Sequence, residues 1–335
     1  MSKSYNIAVL GATGAVGREM IKVIEEYDIP VKNLVLLASA RSVGIKIPFK
    51  GQEIAVQEAK PTSFEGMDFV LGAVQNAMSK EFAPYIVKSG AVYIDNSSAF
   101  RMDKDIPLIV PEINIEDAYE NKGIIANPNC STIITLMAVA ALSKISPITT
   151  MHACTYQAVS GAGQGGLVEL QDQMDALAKG EKPQSKVFPH QIALNVIPWI
   201  GSVQDNLYTS EEMKMQNEGR KILHLPNLKV SCSCVRVPVM RSHSIAVSVS
   251  TERKISIAEA NEAISKFPGC RLIEDYEGRC YPTPLDTSDQ DLVWVGRVRD
   301  DLADDKGLTL WCCGDQVRKG AASNAVQIMK KMIEK

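Results

Sequence analysis

Three glycines directly after an apolar run constrain the fold of this chain more than any other feature. The run, Tyr5–Leu10, is short and largely non-alternating, as in a parallel strand covered on both faces. It leads into Gly11-Ala-Thr-Gly14-Ala-Val-Gly17 and then into a stretch with apolar residues on one helical face. In such a strand–turn–helix the glycines permit a tight turn, close approach of a diphosphate, and close helix–strand packing. The pattern favours a dinucleotide-binding unit over a tight turn without a ligand.

The same alternation of strands and helices continues through the first third of the chain. Further strand-like runs are Asn33–Ala38, Phe69–Val74, Ala91–Asp95 and Gly123–Ala126, and helix-like stretches are Arg18–Tyr27 and Lys80–Lys88. This order predicts an α/β fold with a Rossmann-like doubly wound parallel sheet. After residue 130, longer and partly alternating strands predict a second, α+β domain with a mixed or antiparallel sheet. We expect domains at 1–129 and 130–315, with a C-terminal helix at 316–335 that returns to the first.

Composition narrows the class of protein. The 335 residues have 45% hydrophobic content and a net charge of −3, which argues against a disordered chain and against the basic stripe of a nucleic-acid binder. The longest apolar run is far shorter than the roughly 20 residues of a membrane span. The chain starts without an apolar secretory segment. Eight cysteines with no Cys-x-x-Cys pair, and four histidines, predict no metal site and a cytoplasmic protein.

The end of the second predicted strand indicates which dinucleotide binds. NAD-binding proteins usually place a carboxylate about 20 residues after the glycines, to hold the ribose 2′-OH. This chain has Ser39, Arg41 and Ser42 there instead. Arginine forms charge-assisted hydrogen bonds with a 2′-phosphate, so NADP is predicted over NAD; the alternative is a solvated Arg41. The expected cofactor contacts in this half of the chain are Gly11, Thr13, Gly14, Ala15, Val16, Gly17, Ser39, Arg41 and Ser42.

One cysteine stands at the start of a predicted helix. Asn127-Pro-Asn129-Cys130 precedes the apolar stretch 131–142. The proline disfavours helix in the residue before it and Asn129 suits an N-cap, so Cys130 falls in the first turn. There the helix dipole favours a thiolate, by roughly one pKa unit, and a nearby imidazolium would have to supply more. The alternative is a small buried residue at a helix start.

Seven segments, spread over nearly the whole chain, resemble the bacterial aspartate-β-semialdehyde dehydrogenase family. They are GATGAVG (11–17), SSAFRMD (97–103), VPEIN (110–114), NPNCSTI (127–133), TYQAVSGAG (155–163), CVRVPVMRSHS (234–244) and GDQVRKGAA (314–322). The resemblance implies an enzyme that reduces L-aspartyl 4-phosphate with NADPH to L-aspartate 4-semialdehyde and phosphate, in lysine, methionine and threonine biosynthesis. It also implies a homodimer or tetramer, while the charge and the short apolar runs described above argue against a nucleic-acid or membrane partner.

The resemblance further implies roles for individual residues. Cys130 matches the nucleophile that forms a thioester, His243 the acid/base residue, and Gln157 the residue that orients the substrate. The residues that match the family's substrate ligands are Arg101, Asn129, Glu218, Lys221 and Arg236, with Lys214 as the rival of Lys221 for the phosphate. Ser160, Gly161 and Gln316 match cofactor contacts. The chain departs from many relatives at Ala73-Val-Gln75-Asn76, where they carry a small Ser-Ala-Gly-Gly loop.

Three other functions compete with this interpretation. N-acetyl-γ-glutamyl-phosphate reductase and glyceraldehyde-3-phosphate dehydrogenase also pair a cysteine with a histidine, but SSAFRMD, EGRK and CVRVPV favour the aspartyl substrate. A redox sensor that binds NADP without turnover would explain the glycine turn. It would not explain the Cys, Gln, Arg and His residues in family order.

Overall fold

The computed structural model describes residues 3–335 and divides the chain into two compact units. The first comprises the chain up to Asn129 together with Ala321–Lys335, and the second is Cys130–Gly320. The sequence analysis placed the return to the first domain at residue 316, whereas residues 316–320 belong to the second unit. The reason is local packing: a Cβ on Gly320 would lie 2.8 Å from the Cβ of Cys130.

The first unit is built on a six-stranded parallel sheet with strand order β5-β2-β1-β6-β7-β8. Its strands, including a separate β3–β4 hairpin, are β1 (Tyr5–Leu10), β2 (Val31–Ala38), β3 (Lys46–Phe49), β4 (Gln52–Ala55), β5 (Gln57–Glu58), β6 (Phe69–Gly72), β7 (Val92–Asp95) and β8 (Ile124–Ala126). Its helices are α1 (Ala15–Glu26), α2 (Asn76–Lys88), α3 (Pro111–Ala118) and α9 (Ser323–Glu334).

Helices cover both faces of this sheet. Buried residues of α1 and α9, such as Ile24 and Met329, share one core cluster with Val9 of β1. Buried residues of α2, such as Phe82, share a second cluster with Val70 of β6. Because both faces are covered, the strands read as continuous apolar runs. The predicted α/β class and doubly wound parallel sheet are confirmed.

The second unit contains a mixed six-stranded sheet of order β10-β9-β11-β14-β13-β12. Its strands are β9 (Ile148–Gln157), β10 (Lys229–Arg236), β11 (His243–Thr251), β12 (Cys270–Ile273), β13 (Val293–Asp300) and β14 (Gly307–Gly314). Its helices are α4 (Cys130–Ser143), α5 (Gln164–Ala178), α6 (Ser210–Ile222), α7 (Ile257–Lys266) and α8 (Pro284–Thr287).

Helix α4 is the centre of the second unit. Twelve of its 14 residues are buried, and it packs against α6, α7 and several strands of the mixed sheet. A helix surrounded in this way is apolar on all sides, which explains the uninterrupted apolar stretch. Strand β9 runs parallel to β10 and antiparallel to β11, so the end of β9 lies beside the start of β11.

Candidate functional site

The glycine turn joins β1 to α1 and has no room for a side chain at two positions. Gly11 has φ +90°, and a Cβ there would lie 2.4 Å from the carbonyl oxygen of Ala73. A Cβ on Gly17 would lie 2.2 Å from the carbonyl oxygen of Gly11. Helix α1 begins at Ala15, and its N-cap, Gly14, has no side chain to bond the first N–H groups. These N–H groups and the helix dipole form a cradle that fits a diphosphate.

The loop that follows β2 lies at the same edge of the sheet as this turn. The two strands are parallel neighbours, and the N–H of Gly11 donates to the carbonyl oxygen of Leu37 at 2.8 Å. Residues 40–42 form a single 3-10 turn, with Ser39 and Arg41 exposed and Ser42 half-buried. A dinucleotide with its diphosphate on the glycine turn therefore has these side chains within the same crevice.

A carboxylate that the sequence analysis missed lies beside this loop. Strand β5 pairs with β2 and places Glu58 opposite Ala38, the residue before Ser39. The Glu58 carboxylate lies 2.9 Å from Nζ of Lys60, which offsets its charge. A two-residue strand has no periodicity that could reveal this pairing. The region thus holds two cations, Arg41 and Lys60, against one carboxylate, which suits a 2′-phosphate.

Cys130 is the first residue of α4 and is half-buried. Gly320 packs directly against Cys130. A Cβ added to Gly320 would lie 3.2 Å from the Cα and 2.8 Å from the Cβ of Cys130. A larger residue at position 320 would displace the cysteine. At a helix N-terminus the dipole stabilises a thiolate.

His243 is the first residue of β11 and is fully buried. Its Nε2 lies 3.4 Å from Sγ of Cys130, although the two residues are 113 positions apart. The other ring nitrogen, Nδ1, accepts the backbone N–H of Ala158 at 3.0 Å. The pair therefore has the contact and the orientation that nucleophilic catalysis needs.

The surroundings of His243 favour its neutral form. Burial is the largest cause, the guanidinium of Arg236 adds to it, and the carboxylate of Glu211 partly opposes both; together they lower the pKa of His243 to about 3. Desolvation and a like charge both disfavour a cation.

Arg236, the last residue of β10, is buried beside this pair. Its Nη1 donates to the carbonyl oxygen of Ala158 at 2.7 Å, and its guanidinium lies 5.8 Å from the ring centre of Phe188. A Cβ on Gly161 would lie 2.7 Å from this Nη1 and 3.4 Å from Cε1 of His243. Burial lowers the pKa of Arg236, yet an arginine stays charged in proteins. It is thus a buried cation within the same group as the cysteine–histidine pair, able to take an anionic substrate group.

Gln157 belongs to a buried polar chain that includes a residue the sequence analysis missed. Its Oε1 accepts from Thr155 at 3.0 Å, and its Nε2 donates to Oε1 of Glu211 at 3.1 Å. The other oxygen of Glu211 accepts from Nζ of Lys214 at 2.8 Å. The first turn of α6 therefore contributes a carboxylate and an ammonium group to the surroundings of Gln157.

The predicted pair on this helix, Glu218 and Lys221, lies two turns further along. Glu218 is buried and Lys221 is half-buried. The contacts with Gln157 come instead from Glu211, seven residues earlier, and its partner Lys214. A signal for this exists in the sequence, because both pairs share the Glu-x-x-Lys spacing and lie on one helical face.

The remaining predicted contacts of the second unit adjoin His243. Nε2 of Gln316 donates to Oγ of Ser160, and its Oε1 accepts the N–H of Ser242 at 2.8 Å. Ser242 has φ +71°, a conformation that is strained for a residue other than glycine. Gln316 therefore ties the loop at Ser160 to the backbone that carries His243.

The first unit holds the other two predicted substrate ligands, and both are buried. Arg101 donates from Nε to the carbonyl oxygen of Asn127 at 2.9 Å and from Nη2 to that of Asn96 at 2.8 Å. Asn129 is the last residue of this unit before the chain leaves it. In the loop that departs from many relatives, Asn76 forms hydrogen bonds with Ser98 at 2.8 and 3.0 Å.

Within residues 3–335, no three His, Cys, Asp or Glu side chains are grouped so as to hold a metal ion. None of the helices in this range combines the length and apolar sequence that a membrane crossing requires.

Family comparisons match most of the chain. Residues 6–121 match the semialdehyde dehydrogenase NAD-binding domain, and residues 139–319 match the semialdehyde dehydrogenase dimerisation domain.

Full-length relatives and solved structures give the same result. The aspartate-semialdehyde dehydrogenases of Synechocystis sp. and Aquifex aeolicus are 43% and 46% identical, over 100% and 98% of this chain and 99% and 98% of theirs. The crystal structure of aspartate semialdehyde dehydrogenase II of Vibrio cholerae, complexed with ASA, superposes with a TM-score of 0.97 at 41% identity, covering 99% of both chains.

Proposed function

The chain belongs to the aspartate-semialdehyde dehydrogenase family, and from that membership we propose how its own residues perform the reaction. The enzyme is an oxidoreductase that converts L-aspartyl 4-phosphate to L-aspartate 4-semialdehyde and phosphate, in the route to lysine, methionine and threonine. One observation carries the proposal: Sγ of Cys130, at the start of a buried helix, lies 3.4 Å from Nε2 of His243.

Cys130 is the nucleophile in this proposal. Its thiolate attacks the acyl carbon, an S–C bond forms, the C–O bond to phosphate breaks, and phosphate departs. The product is a thioester on Cys130. When bound, NADPH supplies the hydride that reduces this carbonyl carbon. The resulting anion expels the Cys130 thiolate and releases the semialdehyde. His243 is the group placed to hydrogen-bond the sulfur and the developing charge.

The substrate is anionic at its phosphate and α-carboxylate and cationic at its ammonium group. Arg236 binds the α-carboxylate in this proposal, because it is a buried cation whose guanidinium is held from Nη1 by the carbonyl oxygen of Ala158 and is a planar fork suited to a carboxylate. Arg101 binds the phosphate and Asn129 assists at the acyl group. Gln157 orients the substrate. Its bond to Glu211 supports Glu211 and Lys214 as the acidic and basic ligands on α6, in place of Glu218 and Lys221.

NADP is the cofactor. The glycine turn supports binding of the diphosphate, since a Cβ at Gly11 or Gly17 would fill the cradle. Arg41, with Ser39 and Ser42, is proposed to hold the 2′-phosphate. Ser160, Gly161 and Gln316 are proposed to contact the nicotinamide half, and Gly161 is already packed against His243.

We further propose a homodimer formed through the open face of the mixed sheet. The match to a dimerisation domain supports this. Aromatic residues are partly exposed on that face: Tyr156 and Trp311 lie 5.5 Å apart between ring centres, and the exposed Tyr281 lines the same surface depression as Trp311. Sedimentation of the full chain at several concentrations distinguishes a dimer from a monomer or tetramer. A thiol nucleophile also requires a reducing compartment, which supports the cytoplasm.

The reverse reaction tests the proposed function. The enzyme is mixed with NADP, phosphate and either aspartate semialdehyde or N-acetylglutamate semialdehyde, and NADPH absorbance is followed. We expect NADPH to form from the first aldehyde and only when phosphate is present. A preference for the second aldehyde would indicate N-acetyl-γ-glutamyl-phosphate reductase. Tight NADP binding without turnover of either would indicate a sensor.

A further inference from the structure

A single peptide group, that of Ala158, holds both His243 and Arg236. Its N–H donates to Nδ1 of His243 at 3.0 Å, and its carbonyl oxygen accepts from Nη1 of Arg236 at 2.7 Å. Ala158 is fully buried and directly follows Gln157 at the end of β9. The backbone of this residue therefore fixes two functional groups from two other strands.

The bond to Nδ1 determines where the imidazole proton resides. A ring nitrogen that accepts an N–H has no proton of its own. A neutral imidazole then carries its proton on Nε2, the nitrogen that faces Sγ of Cys130 at 3.4 Å. We infer that His243 is held by the Ala158 peptide as the Nε2–H tautomer, and that it donates a hydrogen bond to the Cys130 sulfur without accepting the thiol proton. The inference deepens the proposed function, since it rests on Cys130 as the nucleophile.

Transfer of the thiol proton to this ring would require a different arrangement. An imidazolium has protons on both nitrogens, so its Nδ1–H would point at the N–H of Ala158 with no acceptor between them. Such a buried donor–donor contact leaves both N–H groups without an acceptor and is therefore unfavourable. The alternative neutral tautomer, with Nε2 free to accept, has the same clash.

The charges around the ring point the same way. The groups that face it are the Cys130 sulfur from α4, the Arg236 guanidinium from β10 and the Glu211 carboxylate from α6. Burial and Arg236 disfavour an imidazolium more than Glu211 favours one, so the pKa of His243 is lowered. The same Arg236 charge stabilises a thiolate, because its interaction with Cys130 is attractive.

Cys130 therefore ionises by releasing its proton to water. The S–H bond breaks, the electron pair stays on sulfur, and the anion is stabilised by Nε2–H, by the start of α4 and by Arg236. His243 stays neutral throughout this step. The usual thiolate–imidazolium pair of cysteine enzymes is not formed.

Nitrogen NMR of the ring tests the inference directly. The full-length enzyme is labelled with 15N in the histidine rings, and the His243 signals are assigned by difference from a His243→Asn sample. We expect an unprotonated Nδ1 and a protonated Nε2 at every pH between about 5 and 8, including where ultraviolet absorbance shows that Cys130 ionises. Protonation of both nitrogens as the thiolate forms, or a protonated Nδ1, would overturn the inference.

A backbone variant provides the second test. Ala158 has φ −61° and follows an extended residue, so Ala158→Pro removes the N–H at a position whose φ proline adopts. We expect a protonated Nδ1 to appear in this variant and kcat to fall roughly tenfold, as for one lost hydrogen bond. Ala158→Gly keeps the N–H and should keep the parent spectrum. An unchanged ring spectrum in Ala158→Pro would contradict the inference; if that variant does not fold, the parent spectrum decides.

Failure of this inference differs from failure of the proposed function. Mass spectrometry detects the acyl group on Cys130 whatever the tautomer of His243. An acylated Cys130 with an imidazolium beside it would overturn only the inference. Absence of the acyl group, with the expected tautomer present, would overturn only the proposed nucleophile.

Discussion

The glycine turn of the first unit is assembled from residues that are neighbours in sequence, whereas Cys130 and His243 are 113 positions apart. The turn acts through its backbone, and its side chains contribute chiefly by being absent at Gly11 and Gly17. The cysteine site acts through buried side chains, which are positioned by contacts with one another and with the Ala158 peptide. The first kind of site is visible in a short sequence motif. The second exists only once α4, β9, β10 and β11 of the second unit have packed together. The two regions should therefore respond differently to substitution.

Cys130→Ser separates the two regions most completely. A hydroxyl has a far higher pKa than a thiol, so we expect loss of essentially all turnover. NADPH binding, measured by fluorescence titration, should be retained because the glycine turn is unchanged. Cys280→Ser, at an exposed cysteine, is the matched control and should turn over like the parent. Residual acyl-enzyme turnover in Cys130→Ser would mean that another group is the nucleophile.

His243→Ala is expected to lower kcat by about 10²–10⁴-fold, the range covered by proton transfer and by a preorganised donor. Steady-state kinetics in both directions measures this. The double variant with Cys130→Ser should lose little more than Cys130→Ser alone, since residues that act as a unit fail together. Additive losses would show that the two residues act separately.

Arg41→Ala tests the cofactor edge of the first unit. Loss of a hydrogen bond to a charged group costs about 1.5–3 kcal/mol, so the ratio of kcat/KM for NADPH to that for NADH should fall by roughly 10- to 150-fold. The kinetics with each cofactor, at fixed substrate, give this ratio. Lys60→Ala, which removes the ammonium group paired with Glu58, is the companion variant. An unchanged ratio in Arg41→Ala would leave Arg41 as a solvated loop residue.

The buried imidazole makes the enzyme acid-sensitive in a defined window. The pKa of His243 is about 3 in the folded protein and about 6.5 when unfolded, so the unfolded state binds more protons between these values. Stability should therefore decrease as pH falls below about 6.5, by ~2 kcal/mol from this residue at about pH 5. Denaturant unfolding at several pH values measures it. His243→Gln should show a shallower decrease, and an identical pH dependence in that variant would contradict the depressed pKa.

Glu211→Gln and Glu218→Gln decide which turn of α6 serves the substrate. Both glutamates are buried, so the pair is matched for burial. We expect Glu211→Gln to reduce kcat/KM for the semialdehyde about tenfold, because it weakens the bonds to Gln157 and Lys214, and Glu218→Gln to have the smaller effect. The opposite order would restore the pair predicted from sequence.

The limits of prediction follow the same division. Short apolar runs and the glycine spacing revealed the parallel sheet, because their signals are local. On α6, Glu-x-x-Lys occurs twice at a spacing of seven, so both pairs lie on one face and only the packing of α6 against β9 and β10 distinguishes them. Glu58 was missed because β5 has only two residues, and its position is set by pairing with β2 and not by a pattern in its own sequence. The boundary between the second domain and the C-terminal helix was predicted at residue 316. The apolar periodicity of that helix carries no information about the packing of Gly320 against Cys130.

The closeness of Gly320 to Cys130 also describes how the enzyme is put together. These two residues are the first and last of the second unit, and they touch. A segment whose ends adjoin can be inserted into, or exchanged within, another domain without displacing the flanking chain. Here the second unit begins with the proposed nucleophile, Cys130, and ends at Gly320, which packs against it. Exchange of this one unit would replace the nucleophile, His243 and Arg236 together, while the first unit retained its dinucleotide fold and the proposed substrate ligands Arg101 and Asn129.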